Sequence, residues 1–236
     1  MRVMALDTTS RAGSVALVDK GRLVDERAGD GSRTHGERLP GELAALGVEW
    51  SSVDVFAVAA GPGSFTGLRI GIATIQGLAL VHKRHVAAVS ALEALAQLAS
   101  RDLGDGATIA AWIDAQRGEV FSALYRVAAA PVFTPERLVE LEAPAVASPP
   151  ATLEAWVRHD LRSTVFAGDG AVRYAPALAA ADTPIRVAGP ALLAGAVGLM
   201  AAVRAERGLA TTPDAVRPLY IRRPDAEIHR QRQMGR

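Results

Sequence analysis

The sequence has no cysteine, only two lysines (Lys20 and Lys83), and few aromatic residues, 5% of 236. Without cysteine there is no disulfide, no thiolate nucleophile and no cysteine-based zinc site. No uninterrupted apolar run reaches the about 20 residues that span a bilayer as a helix. The chain opens on a strand-like run, Val3-Met4-Ala5-Leu6, with no basic segment leading into a long apolar one. These absences predict a cytoplasmic protein with no membrane partner. The net charge is only +1, so no strong overall field draws the chain to nucleic acid. Half of the residues are apolar, enough for a sizeable core. The length suits one large or two small domains, which run about 100–200 residues each.

Short alternating runs at 2–8, 12–18 and 22–28, separated by turn residues, predict a strand meander. After a polar loop at 29–34, His35, Leu39, Leu43 and Leu46 recur at helical spacing. A strand is expected at 53–60, a glycine-rich turn at 61–67, and a helix to about 81. A strand at 85–89 and a helix to about 100, capped by Ser90, follow. Beyond Gly104 the plan recurs, with a strand at 107–113 ending in Asp114, a turn at Arg117-Gly118 and a strand at 119–127. Strand 163–167 runs into Gly168-Asp169-Gly170 much as strand 53–60 runs into Gly61-Pro62-Gly63. The Ala- and Pro-rich stretch 128–151 is expected to be partly irregular, and 191–207 helical. Two such halves predict an α/β protein of two ribonuclease-H-like lobes, the plan of the actin, sugar-kinase and Hsp70 superfamily. The expected division is an N-terminal lobe at 1–105 carrying partner-binding helices and a C-terminal lobe at 106–222. The last helix of the C-terminal lobe can pack back on the first lobe. A flexible tail is expected at 223–236.

In that superfamily an Asp ending the first strand faces the nucleotide's metal, and hairpin amides approach phosphate. Asp7, Thr8, Thr9 and, from the second hairpin, Asp114 are therefore candidates for a vestigial nucleotide site. Asp and Thr are also ordinary turn formers. Asp114, Arg117 and Glu119 can form a local ion network.

The run Gly61-Pro62-Gly63-Ser64-Phe65-Thr66-Gly67-Leu68-Arg69-Ile70-Gly71 is neither a Walker loop nor a dinucleotide fingerprint. Gly71 and Gly77 inside the following helix cost about 1 kcal/mol each relative to Ala. Gly67, Gly71, Thr74 and Leu78 share one face, and Leu68, Ile72, Ile75 and Ala79 another. Such a helix is either buried within its own domain or shared with another chain. His35 has Leu39, not a second histidine, four residues on, so the pair that grips a metal from one helix face is missing. His82 and His85 flank Lys83-Arg84 and mark a helix end.

Several segments resemble the TsaB family. They are Asp7-Thr8-Thr9 before Gly13-Ser14-Val15-Ala16-Leu17, His35 before Leu39-Pro40, and the Gly61–Gly71 run. Ser90-Ala91-Leu92, Asp114 to Phe121 and Pro218-Leu219-Tyr220-Ile221-Arg222 complete the set. The resemblance covers nearly the whole chain, and the Gly61–Gly71 run is its most specific part. It implies a non-catalytic subunit that binds and activates a catalytic paralogue, TsaD. TsaD forms N6-threonylcarbamoyladenosine at position 37 of tRNAs reading codons that begin with A. The metal-holding His-x-x-x-His pair of TsaD corresponds here to His35 and Leu39, so no metal, cofactor or catalytic residue is expected. Partners implied are TsaD, the ATPase TsaE, a second copy when alone, and tRNA only through the complex. The helices at roughly 34–46 and 66–81 are the implied TsaD surface, with His35, Leu39, Leu43, Gly67, Gly71, Thr74 and Leu78 as its residues. A stand-alone nucleotide-binding kinase or ATPase of the same superfamily is the alternative, and a metallohydrolase the third.

Overall fold

A computed structural model describes residues 1–179, 186–188 and 191–222, with backbone alone for 186–188. The tail expected at 223–236 lies outside the described residues. Two five-stranded sheets carry the structure.

The first sheet contains β1 (Arg2–Asp7), β2 (Ser14–Asp19), β3 (Arg22–Ala28), β4 (Val55–Gly61) and β5 (His85–Ser90), in the order β3-β2-β1-β4-β5. β1, β2 and β3 pair antiparallel, and β4 and β5 run parallel to β1. The second sheet contains β6 (Thr108–Asp114), β7 (Val120–Val127), β8 (Leu138–Ala147), β9 (Val165–Ala167) and β10 (Arg186–Ala188). Its order is β8-β7-β6-β9-β10, with the same antiparallel triplet and parallel pair. The plan recognised in the two halves of the sequence is thus present twice, as two ribonuclease-H-like lobes.

Both sheets are covered on both faces, as parallel strands require. Because side chains alternate along a strand, Val3 and Ala5 of β1 enter one core while Met4 and Leu6 enter the other. The second of these cores is closed by α1 (His35–Ala45) and α2 (Phe65–His82), through Leu39, Leu43, Ile72, Ile75 and Ala79. The first is closed by α7 (Ala194–Glu206), whose Val197, Met200 and Ala201 lie on Val3, Ala5 and Val18. The last helix of the described chain therefore packs on the first sheet. Its N-terminus is held there by Ser14 Oγ, accepting from Ala194 N at 3.0 Å, and by Glu26, accepting from Gly195 N at 2.6 Å. A carboxylate at that end suits the helix dipole.

α3 (Ala91–Ala99) covers one face of the second sheet. On the other face lie α4 (Pro149–Ala155), α5 (Asp169–Arg173) and α6 (Ala175–Ala179). The scarce aromatics concentrate there: Trp112 meets Phe166 edge-on at 5.2 Å and Trp156 at 6.2 Å.

The stretch 128–151, expected to be partly irregular, holds the ten-residue strand β8 and the start of helix α4. β8 lies at the sheet edge, where Pro144 costs no ladder bond. Of the two register shifts against β7, one falls between Ser122 and Leu124, opposite Ala143-Pro144, and the other between Leu124 and Tyr125. Just before β8, buried Arg137 donates to the carbonyls of Ser100 (2.6 Å), Leu103 (2.7 Å), Ala128 (3.0 Å) and Ala130 (3.2 Å). One guanidinium thus ties the end of α3 to the end of β7.

Candidate functional site

A cleft of about 940 Å³ opens between the two sheets. β1 ends in Asp7, buried at 3% exposure beneath the cleft-lining Thr9. Asp7 Oδ1 accepts from Thr9 N at 2.8 Å and Thr9 Oγ1 at 2.6 Å. Burial raises the Asp7 pKa above the usual carboxylate range, against the lowering effect of the Thr9 bonds. Thr8 Oγ1 donates to Gly67 O at 2.8 Å, and Ser64 N donates to Thr9 O at 2.8 Å. The β1–β2 turn is thereby fastened to the start of α2, which Ser64 caps through Gly67 N.

α1 sends two side chains under the same turn. Arg38 is buried and donates to the carbonyls of Ala12 and Arg11, while pairing with Glu42 at 2.5 Å. It also meets His35 Nδ1 at 2.7 Å, and His35 Nε2 meets Ser10 O at 3.0 Å. A guanidinium only donates and a carbonyl only accepts, so the neutral imidazole carries its proton on Nε2. Burial first, and the Arg38 charge second, lower the His35 pKa.

The second hairpin faces the first. Asp114 accepts from Arg173 Nη1 (2.9 Å), Gln116 Nε2 (2.7 Å), Gln116 N (3.0 Å) and Tyr174 OH (3.3 Å). Asp169 Oδ1 accepts from the amides of Asp114 (3.0 Å) and Gly170 (2.8 Å). The sequence predicts a local ion network in this hairpin; two of its carboxylates pair with arginines from other segments. Arg173 of α5 pairs with Asp114, and Arg222 of the C-terminal segment pairs with Glu119. That segment crosses the cleft. Leu219 N donates to Ala60 O at 2.7 Å, Tyr220 stacks on Phe65 at 5.0 Å, and Arg222 reaches Ala115 O at 2.7 Å.

The outer surface of the first lobe has a different character. Between α1 and α2 runs a groove of about 350 Å³ whose lining includes Leu39, Pro40, Leu43, Trp50, Thr74 and Leu78. Beside it, α2 exposes Leu80 (72%) and Val81 (75%). A Cβ on Gly36, Gly41 or Gly77 would meet nothing within 4 Å among the described residues. α2 is long and apolar enough to cross a membrane by composition alone, with a mean hydropathy of 1.2 over 18 residues. Its Leu68, Ile72, Ile75 and Ala79 stripe lies in the core.

The structure divides the residues assigned to a partner surface. Thr74 and Leu78 are half-buried in the groove, and Leu39 and Leu43 form its floor. His35 also lines the groove, while Gly67 and Gly71 are buried against Thr8 within the chain. The space over both glycines is filled by Thr8, so a side chain at either would collide with it. Of the nucleotide-site candidates, Asp7, Thr8 and Thr9 are bonded to one another or to α2, and Asp114 to Arg173 and Gln116. Sequence reasoning missed Arg38, which reads as an exposed i,i+4 partner of Glu42. It also missed the outward stripe of Ala73, Gly77, Leu80 and Val81.

The family model described as "TsaD: tRNA N6-adenosine threonylcarbamoyltransferase" matches residues 30–154. The "tRNA threonylcarbamoyladenosine biosynthesis protein TsaB" of Escherichia coli (strain K12) is 40% identical over 130 residues, 53% of this chain and 55% of its own length. The match thus spans about half the length of that curated relative. An uncharacterized protein of Mycobacterium tuberculosis is 32% identical over 95% of this chain and 93% of its own. Among solved structures, "YeaZ from Pseudomonas aeruginosa" superposes with a TM-score of 0.72 at 31% identity, covering 93% of this chain and 99% of that one.

Proposed function

The chain belongs to the TsaB (YeaZ) family, and from that premise we propose that it is a subunit for forming N6-threonylcarbamoyladenosine in tRNA, binding and activating a TsaD partner rather than performing catalysis. The observation that carries the proposal is the outward face of α2. Gly77 stands in a helix interior at a cost of about 1 kcal/mol against Ala, yet nothing among the described residues uses the space. Beside it, Leu80 and Val81 leave an apolar strip in water. Bare glycines and exposed aliphatics together suit a helix of another chain approaching closely. Leu78 and Thr74 extend the strip into the α1–α2 groove.

The chemistry of the cleft favours the same conclusion over independent catalysis. Both ring nitrogens of His35 are committed to Arg38 and Ser10, and buried Leu39 stands where a second histidine would be needed. The Thr9, Gly13 and Gln116 amides, the kind that cradles phosphate in hairpin turns, donate to Asp7, Ser10 and Asp114. Alone, the α2 face closes on a second copy; with TsaD present it is exchanged for the heterodimer, which TsaE then joins.

The test is reconstitution with TsaD and TsaE from the same organism. The expected result is no threonylcarbamoyl transfer by this chain alone, strong stimulation of TsaD, and co-elution at heterodimer mass by light scattering. Transfer by TsaD that is indifferent to this chain, or separate elution of the two, would refute the proposal.

A further inference from the structure

We propose that the cleft between the two sheets is itself an RNA-binding site, so that this chain contacts tRNA directly. This rests on the subunit function above, in which tRNA is the shared substrate. The overall charge of +1 conceals a local asymmetry. Arg11, Arg33, Arg69, Arg117 and Arg222 all line this one cleft. Arg11, Arg33 and Arg69 are exposed and have no carboxylate within 4 Å among the described residues. The opposing carboxylates are already engaged. Asp114 is paired with Arg173, and Asp169 Oδ1 is held by two backbone amides.

At the rim the arginines are interleaved with aromatic rings. The Arg69 guanidinium lies 3.9 Å over the Phe65 ring and donates to Tyr220 OH at 3.1 Å. Phe65 and Tyr220 stack at 5.0 Å, and Tyr220 remains 38% exposed. A pre-assembled guanidinium–phenyl–phenol stack flanked by guanidinium groups suits a strand with bases to stack and spaced phosphates to pair. A lone polyphosphate fits less well. It would be gripped by turn amides, and Thr9, Gly13, Gln116 and Glu119 already donate theirs within the two hairpins.

The experiment titrates a fluorescein-labelled tRNA transcript with the full chain at low salt, over a salt series and with Mg-ATP as competitor. The cleft variant carries Arg11→Gln, Arg33→Gln and Arg69→Gln. A control variant carries Arg22→Gln, Arg126→Gln and Arg162→Gln, the same charge loss at exposed sites away from the cleft. Circular dichroism melts of both confirm folding. The cleft variant is expected to bind at least about tenfold more weakly, with a log–log salt slope shallower by about two. The control is expected to stay within about twofold of wild type. Equal behaviour of the two variants, or displacement of RNA by Mg-ATP at saturating occupancy, would overturn the inference. Co-elution with TsaD is followed in parallel. Arginine-dependent RNA binding without any TsaD complex would overturn the subunit proposal alone.

Discussion

The two lobes share one sheet order and one turn, yet they use the following helix differently. At the end of β4, Gly61 takes φ 116°, and just after β9, Gly168 takes φ 110°, both in the left-handed region that favours glycine. In each lobe the turn presses on the first strand or the turn that follows it: Gly63 against Thr9, just past β1, and Gly168 against Trp112 of β6. Past that shared point, α2 runs 18 residues and α5 only five. The short helix suffices to cap Asp114 with Arg173 and Tyr174. The long one has one face in the core, one face locked to Thr8, and a third face left bare. Length beyond what the core needs is what separates the helix of the first lobe from that of the second.

The sharpest way to break this comparison lies within α2. Gly71→Val would force a side chain into Thr8 and is expected to cost about 3 kcal/mol. Gly77→Ala, two turns along on the bare face, is expected to gain about 1 kcal/mol. Urea unfolding measures both, and a similar cost for both would mean that the two faces are not distinct. A slightly smaller loss, about 2–3 kcal/mol, is expected for Arg137→Met, which takes the guanidinium donor from four carbonyls, of which Ser100 and Ala128 keep a backbone donor. Because Arg137 ties α3 to β7, the loss should appear first as faster hydrogen exchange at the end of α3.

Two pH effects sharpen the contrast between the hairpins. The folded pKa of His35 lies below its usual 6.5, so its stabilising effect is full above that value. It is lost as pH falls from 6.5 toward the folded pKa. His35→Gln should flatten that part of the stability profile. Asp7 behaves oppositely. Its folded pKa is raised above 3.8, so its favourable effect is present below 3.8 and is lost as pH rises through the folded value. Asp7→Asn retains an acceptor for Thr9 and should make the chain modestly more stable at neutral pH, by thermal melts.

Much of the architecture was legible because strand alternation and glycine turns are local signals. Val3 to Leu6, Gly61-Pro62-Gly63 and Gly168-Asp169-Gly170 announce their elements within a few residues. β8 was not, since an edge strand can be rich in alanine and carry Pro144. The role of Gly71 was also hidden. It depends on Thr8, brought close only when β1 and α2 meet, so burial and a shared interface were equally consistent with the sequence. The bare face escaped notice for a related reason: α2 is apolar on nearly every side, and periodicity gives no contrast where all faces are alike. Arg38 carried the pattern of a surface ion pair, and only the fold turns it inward.

The most direct test of the docking face is calorimetric titration of TsaD with two charge insertions, one in each lobe. Gly77→Arg places a guanidinium on the bare face of α2. Val172→Arg does the same on α5, where Val172 is 45% exposed. The account predicts that Gly77→Arg weakens TsaD binding by about a hundredfold or more while Val172→Arg leaves it unchanged, both proteins melting like wild type. Unchanged binding by a folded Gly77→Arg variant would contradict the assignment of α2 as the surface that TsaD meets.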